Sequence, residues 1–200
     1  MTLKLTIACD EFDHIRALIN GTVKPEGIEL YFTTELTNPE RHGRMVDVCE
    51  LNAPTLCCAR ARRADHRPPD LKIERLTRGT SVLALLLNGE LSAIMLPQTP
   101  KPLLEGDPRI ARLFPDYVPR ERAYFKQTGI FPIMHVTAIK CDIVDRYPWV
   151  PGALFRAFVE AKEIAYRRME NVRIVTLPWF GAHWEDERAL FGPNPWQYRG

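Results

Sequence analysis

The feature that most constrains the fold of this chain is an alternation of short apolar runs with helix-forming segments over its first 62 residues. Short apolar runs bounded by turn-forming residues are typical of strands. They occur at 3–9, 27–33 and 46–51. The intervening and following segments predict helices at 13–20, about 39–45 and about 54–62. Because strands that alternate with helices form βαβ units, this order predicts an α/β fold with a mainly parallel sheet.

A charged, proline-rich break at 63–70 interrupts this order, which resumes beyond it. Further strands are predicted at 71–76, 91–96 and 131–140. A helix is predicted at 80–88. The segment 97–108 contains four prolines and is therefore predicted to be a connector.

The longest predicted helix covers residues 151–169. Pro151 suits its first turn, where the missing N–H has no helical partner to lose. Apolar residues at near-helical spacing predict its buried face: Leu154, Phe158, Ala161, Ala165 and Met169. Gly21, just past the helix predicted at 13–20, occupies the position where a glycine ends a helix.

Charge and composition exclude several classes of protein. Lys plus Arg number 27 against 25 for Asp plus Glu, and this net charge of +2 gives no electrostatic footprint for nucleic acid. Hydrophobic residues make up 46% of the chain, which excludes wholesale disorder. No apolar run approaches the ~20 residues that span a bilayer, and the N-terminal residues resemble a strand rather than a secretion signal. We therefore expect a cytoplasmic protein without membrane or nucleic-acid partners.

The cysteines do not have the spacing of a metal site. Cys9, Cys49, Cys57, Cys58 and Cys141 lack zinc-ligand spacing and are expected to be free thiols. Another group, formed by Asp10, Asp13 and His14, could hold a divalent cation. Capping of the first helix by Asp13 is the simpler interpretation.

Four residues could form a site for an anionic substrate. His135 follows an apolar run and could act as a general acid near neutral pH, although a hydrogen-bonded core or hinge histidine has the same pattern. Glu50 lies at the end of a predicted strand, where α/β sheets bind ligands, or it forms a structural salt bridge. Arg16 and Arg44 could bind an anion or could be solvated.

Three blocks of the chain together have the pattern of a known protein family. The first block comprises LTIAC at 5–9, Asp13, RALI at 16–19 and VKPEGI at 23–28, and the second is DVCEL at 47–51. The third and most specific block comprises RLFPDY at 112–117, TGIFPIMH at 128–135, PWV at 148–150 and LPW at 177–179. These blocks resemble the 4,5-dihydroxyphthalate decarboxylase family, which has the type II periplasmic-binding-protein fold. The family is longer, and it has an acid where this chain has Ser92.

This resemblance implies one near-complete, discontinuous lobe at 1–66 and 125–200, and a truncated second lobe at 67–124, with an internal deletion near 63–70 and a shortened C-terminus. It also implies decarboxylation of a dihydroxylated aromatic dicarboxylate without a cofactor or metal. His135 and Glu50 are the expected catalytic residues, as proton donor and base. The expected substrate-binding residues are Arg16, Arg44, Asn52 and Thr128.

Two other interpretations of the sequence stay open. One is a small-anion binding protein of the same fold that performs no chemistry. The other is an inactive, truncated family member that folds partially or only as a homo-oligomer. Release of carbon dioxide from a small aromatic carboxylate distinguishes the enzyme from both.

Overall fold

A computed structural model describes residues 2–33, 46–52, 76–77, 79–96, 98–132, 135–194 and 197–198. The chain divides into two compact units. Unit 1 comprises Met1–Arg63 and Pro132–Gly200, and unit 2 comprises Ala64–Phe131. Helices predicted at 39–45 and 54–62 and most of the strand predicted at 71–76 lie outside the described residues.

Unit 1 contains a four-stranded sheet with the order β2-β1-β3-β4. The strands are β1 (Leu3–Ala8), β2 (Ile28–Thr33), β3 (Val48–Asn52) and β4 (His135–Ile139). Both β2 and β3 pair with β1 in parallel, whereas β4 pairs with β3 antiparallel. The predicted α/β class and mainly parallel sheet are therefore confirmed.

The pairing of β3 with β4 brings the end of one strand to the start of the other. Asn52, the last residue of β3, is the register partner of His135, the first residue of β4. Glu50 is the partner of Thr137. Since β1 and β3 are parallel, the start of β4 lies at the edge where their carboxyl ends meet.

Seven α-helices occur among the described residues. Unit 1 contains four of them: α1 (Arg16–Ile19), α5 (Cys141–Arg146), α6 (Val150–Met169) and α7 (Phe180–Phe191). It also contains 3₁₀ turns at Asp13–Ile15 and Val172–Ile174. The helices of unit 2 are α2 (Val82–Leu87), α3 (Lys101–Leu104) and α4 (Tyr117–Thr128). The part of the chain that the structure describes contains no helix long and apolar enough to cross a membrane.

The core of unit 1 forms where α6 packs with the sheet. Leu5, Ile7 and Val48 from the sheet cluster with Val150 and Leu154 from α6, and all five are fully buried or nearly so. A second cluster joins α1 to α6 through small side chains, including Ala17, Ala157 and Ala161. The predicted apolar face of the long helix is confirmed, because Leu154, Ala161 and Ala165 are buried and Phe158 and Met169 are partly buried.

The carboxylate of Asp47, which directly precedes β3, connects β3 with its two neighbouring strands. The backbone N–H of Thr6 in β1 donates to Asp47 Oδ2 at 2.9 Å, and Lys140 Nζ lies 3.5 Å from Asp47 Oδ1. The backbone N–H of Lys140 donates to the Asp47 carbonyl at 3.0 Å. These contacts fix the register of β3 between its two neighbours, and this register places Glu50 at the carboxyl edge.

The first helix differs from its prediction. Residues 13–15 form a 3₁₀ turn, and only Arg16–Ile19 is α-helical. The expected cap at Asp13 is wrong, since Phe12 is the capping residue and Asp13 lies inside the turn, where its carboxylate pairs with Arg16 at 3.2 Å. Gly21 has a φ of +75°, as expected for the glycine that ends this helix.

The predicted strand at 91–96 is also wrong, because these residues have no regular structure. A strand needs a neighbour to complete its hydrogen bonds, and the described residues of unit 2 contain no strand. The N–H groups of Glu90 and Leu91 instead donate to the carbonyl of Leu85, which closes the end of α2.

Candidate functional site

Glu50 and His135 meet at the carboxyl edge of the sheet. His135 Nδ1 lies 3.4 Å from Glu50 Oε1. The two side chains differ in exposure, at 13% for Glu50 and 41% for His135. A carboxylate beside Nδ1 orients the imidazole and leaves Nε2 for proton transfer. This is a shielded carboxylate paired with a solvent-accessible histidine.

A backbone donor holds the second oxygen of the Glu50 carboxylate. The N–H of Asp10, two residues beyond the end of β1, donates to Glu50 Oε2 at 3.2 Å. The carboxylate is therefore held between the end of β1 and the start of β4. One of these contacts comes from the segment that follows β1 and the other from β4, so the sheet topology determines the position of the carboxylate.

An aromatic layer extends the site from His135 towards the first 3₁₀ turn. The ring of Phe12 is 5.8 Å from that of His135 and stacks on that of His14 at 5.3 Å. Burial is the main cause that lowers the pKa of His14; the positive charges of His135 and Lys162 add to it, and Asp13 opposes it. Burial therefore favours the neutral form of the His14 imidazole.

A buried lysine approaches this layer from α6. Lys162 is only 2% exposed. Its Nζ donates to Asn194 Oδ1 at 2.8 Å and lies 4.4 Å from the centre of the Tyr198 ring and 5.8 Å from that of Tyr166. Burial lowers the pKa of the Lys162 ammonium, and the negative charge of Glu163 opposes this effect.

Tyr198 contacts both Lys162 and His14 through its ring. Its ring meets that of His14 edge-on, with centroids 6.4 Å apart. Burial raises the pKa of the Tyr198 phenol well above its usual range, and the charges of Tyr166 and Glu50 add to this effect. We use the term carboxyl-edge cluster for the six side chains connected in this way: Phe12, His14, Glu50, His135, Lys162 and Tyr198.

The other sequence-predicted residues are distributed elsewhere. Arg16 lines a cavity of about 150 Å³ between α1 and α6, together with Arg168 and alanines of both helices. Arg44 lies outside the described residues, as does the side chain of Asn52. Thr128 belongs to unit 2, where its hydroxyl donates to the Tyr124 carbonyl at 2.8 Å and accepts from the Ile130 N–H at 3.1 Å.

Lys162 and Tyr198 belong to the site although the sequence patterns did not predict them as site residues. A signal for Lys162 was present, since it lies four residues after Phe158 and three before Ala165, on the predicted buried face of the long helix. A charged residue at such a position is buried only with partners. No comparable signal marks Tyr198.

Among the described residues, no group of three His, Cys, Asp or Glu side chains is arranged to hold a metal ion. The structure describes three cysteines: Cys9 is buried, Cys49 is partly buried and Cys141 is exposed. Cys57 and Cys58 lie outside the described residues.

One curated protein is similar to this chain. It is a 4,5-dihydroxyphthalate decarboxylase from Comamonas testosteroni, 29% identical over 133 residues. The match covers 66% of this chain and 40% of the relative, so the chain spans well under half of that protein's length. No family model matches the chain. The similarity supports a distant relationship to a decarboxylase.

The environment of His14 predicts how stability depends on pH. Because burial lowers the pKa of folded His14 below 6.5, the unfolded chain binds a proton at a higher pH than the folded chain. The free energy of unfolding is therefore expected to fall as the pH drops through 6.5 towards the lower folded value. Urea unfolding at a series of pH values should show a shallower fall for His14→Gln, which cannot titrate. His183→Gln, which removes an exposed histidine of unit 1, is the matched variant for comparison. Equal slopes for wild type and His14→Gln would contradict the assignment.

Proposed function

We propose that the protein decarboxylates a dihydroxylated aromatic dicarboxylate of the 4,5-dihydroxyphthalate type. The observation that carries this proposal is the Glu50–His135 pair at the carboxyl edge of the sheet, with Nδ1 and Oε1 3.4 Å apart. The distant relative named as a 4,5-dihydroxyphthalate decarboxylase supports the substrate class. In keeping with it, we infer a type II periplasmic-binding-protein fold, in which unit 1 is the first lobe and unit 2 the remnant of the second.

The reaction requires a base for a phenol and an acid for a ring carbon. Glu50 accepts the proton of the hydroxyl that is para to the departing carboxylate, and the electron pair of that O–H bond moves into the ring. His135 donates a proton from Nε2 to the carbon that bears the carboxylate. The bond to the carboxylate then breaks, its electron pair restores the aromatic ring, and carbon dioxide leaves.

The exposures of the two residues suit these roles. Glu50 returns its proton to the phenolate when the ring becomes aromatic again, so it needs no exchange with water. His135 supplies the proton that stays on the product, and it must be reloaded from solvent in every cycle. Glu50, which keeps its proton within the site, is 13% exposed, and His135, which takes up protons from solvent, is 41% exposed.

The direct test is incubation of the full chain with 4,5-dihydroxyphthalate, with measurement of carbon dioxide and of the dihydroxybenzoate formed. Phthalate is the matched control substrate, because without hydroxyl groups it cannot supply electrons to the ring, and it should not react. Carbon dioxide release no faster with wild type than with Glu50→Gln would refute the proposal.

A second candidate function is the binding of a small anion without chemistry. The observation that favours it is the cavity between α1 and α6, which is lined by Arg16, by Arg168 and by Asp13, the ion-pair partner of Arg16. The described lining of this cavity does not include Glu50 or His135. Binding there would consequently need neither catalytic residue.

Arg16→Ala tests the role of this arginine in either function. We expect the variant to raise the KM or the Kd for a phthalate-type anion about two- to fivefold, the scale of an exposed ion pair, with kcat unchanged. Calorimetric titration and steady-state kinetics would measure the two constants. Arg146→Ala is a control, since Arg146 forms a comparable exposed pair with Asp142 on α5. An Arg16→Ala variant with unchanged KM and Kd would exclude Arg16 as a binding residue.

A further inference from the structure

The chain's own Tyr198 ring covers the buried lysine of the carboxyl-edge cluster. Lys162 Nζ lies 4.4 Å from the centre of the ring, within the range of a cation–π contact. His14 meets the edge of the same ring. The phenol is also close enough to Glu50 for the carboxylate charge to affect its pKa. A hydroxylated aromatic ring is thus held beside a cation, a histidine and a carboxylate.

These neighbours are the groups that a hydroxylated aromatic carboxylate requires. The cation binds its carboxylate, Glu50 accepts its phenolic proton, and the aromatic layer of Phe12 and His14 continues to His135. We propose that Tyr198 occupies the aromatic-ring subsite of the candidate site, and that a hydroxylated aromatic carboxylate binds by displacing this ring from Lys162. This inference rests on the proposed function and identifies the side chain that the ligand must move.

The charges indicate why such a ligand competes with Tyr198. The phenol of Tyr198 is held neutral, because burial and the nearby Glu50 charge raise its pKa. It can offer the Lys162 ammonium the face of its ring, whereas a substrate carboxylate offers a full negative charge. Hydrogen bonds between charged groups are roughly twice as strong as neutral ones, and more so where water is excluded. Lys162 is almost completely buried.

The lysine does not need to move for this exchange. The Asn194 side-chain oxygen accepts from Nζ at 2.8 Å and holds the end of the lysine in place. The described contacts of the Tyr198 side chain are made through its ring, with Lys162 and His14. The ring can therefore leave while Asn194 keeps the ammonium in position for the ligand.

The first experiment measures the affinity of the full chain for 4,5-dihydroxyphthalate by calorimetric titration. Tyr198→Ala removes the competing ring and is expected to lower the Kd about tenfold, which is about 1.4 kcal/mol. Tyr198→Phe retains an aromatic face for the cation and should have a Kd close to that of wild type. Lys162→Met should raise the Kd, both in the otherwise wild-type chain and in combination with Tyr198→Ala. A Kd for Tyr198→Ala that equals or exceeds the wild-type value would overturn the inference.

The second experiment uses the wild-type chain alone and does not depend on a variant that folds. Nitration of Tyr198 by tetranitromethane, followed by peptide mass spectrometry, reports how accessible the ring is. Saturation with 4,5-dihydroxyphthalate is expected to increase the rate of nitration, because the displaced ring enters solvent. An unchanged or slower rate would show that Tyr198 stays in place or closes over the ligand, and would refute displacement.

The two experiments also separate this inference from the proposed function. Tighter binding by Tyr198→Ala and faster nitration, without carbon dioxide release, would support the displaced ring and reject the decarboxylase. Carbon dioxide release with unchanged Kd and nitration would retain the decarboxylase and reject the displaced ring.

Discussion

Replacement of His135 by alanine is expected to lower the turnover of 4,5-dihydroxyphthalate by about 10²–10⁴-fold, the contribution of a positioned general acid. The substrate KM should change little, since His135 acts on the ring carbon only as the proton is transferred. Its Nδ1 contact with Glu50 orients the ring, and this contact is 3.4 Å long in the free protein. Steady-state measurement of carbon dioxide release gives both constants.

Two variants make this experiment specific. His183→Ala removes an exposed histidine of α7 outside the carboxyl-edge cluster and should retain wild-type turnover. Glu50→Gln retains the shape of the side chain but removes the base and the charge beside Nδ1, so it should lower turnover over a similar range. Because the two residues act as one unit, the double variant should be little slower than either single variant. Normal turnover in His135→Ala would reject the assignment of His135.

The second large effect concerns stability. Leu5→Ala is expected to reduce the free energy of unfolding by about 2–5 kcal/mol, the range for a leucine deleted from a packed core. Leu5 is 1% exposed in the centre of β1 and packs in the cluster that joins the sheet to α6. Denaturant unfolding followed by circular dichroism would measure the change.

Leu177→Ala is the matched control for this prediction. The same atoms are removed from unit 1, but Leu177 is 63% exposed. Its free energy of unfolding should remain within about 0.5 kcal/mol of wild type, as is usual for surface substitutions. Equal losses in Leu5→Ala and Leu177→Ala would mean that the packing of β1 on α6 does not stabilise the unit.

The parts of the fold that could be predicted have a local signal in the sequence. The long helix has an apolar stripe and Pro151 in its first turn, and both were readable from spacing alone. Helix α4 was missed because the exposed residues that dominate it leave no stripe to detect. Helix α7 was also missed: its capping residue, Trp179, provides no side-chain cap, so no start signal precedes it.

The candidate site was predictable only where chain topology determines it. Glu50 and His135 lie at the ends of apolar runs, and strand ends on one side of a sheet meet at one edge. The geometry around Lys162 depends instead on Asn194, 32 residues away, and on Tyr198 beyond it. Such contacts arise from packing between distant segments, for which a single sequence contains no periodic pattern.

The register of β3 and β4 has a consequence for how this protein tolerates changes in length. Asn52 and His135 face each other across adjacent antiparallel strands, so unit 2 belongs to a segment that leaves and re-enters the sheet at one point, as an oversized hairpin loop does. The entropic cost of closing such a loop grows only slowly with its length. Residues can therefore be deleted or inserted between Asn52 and His135 during evolution without moving Glu50 relative to His135.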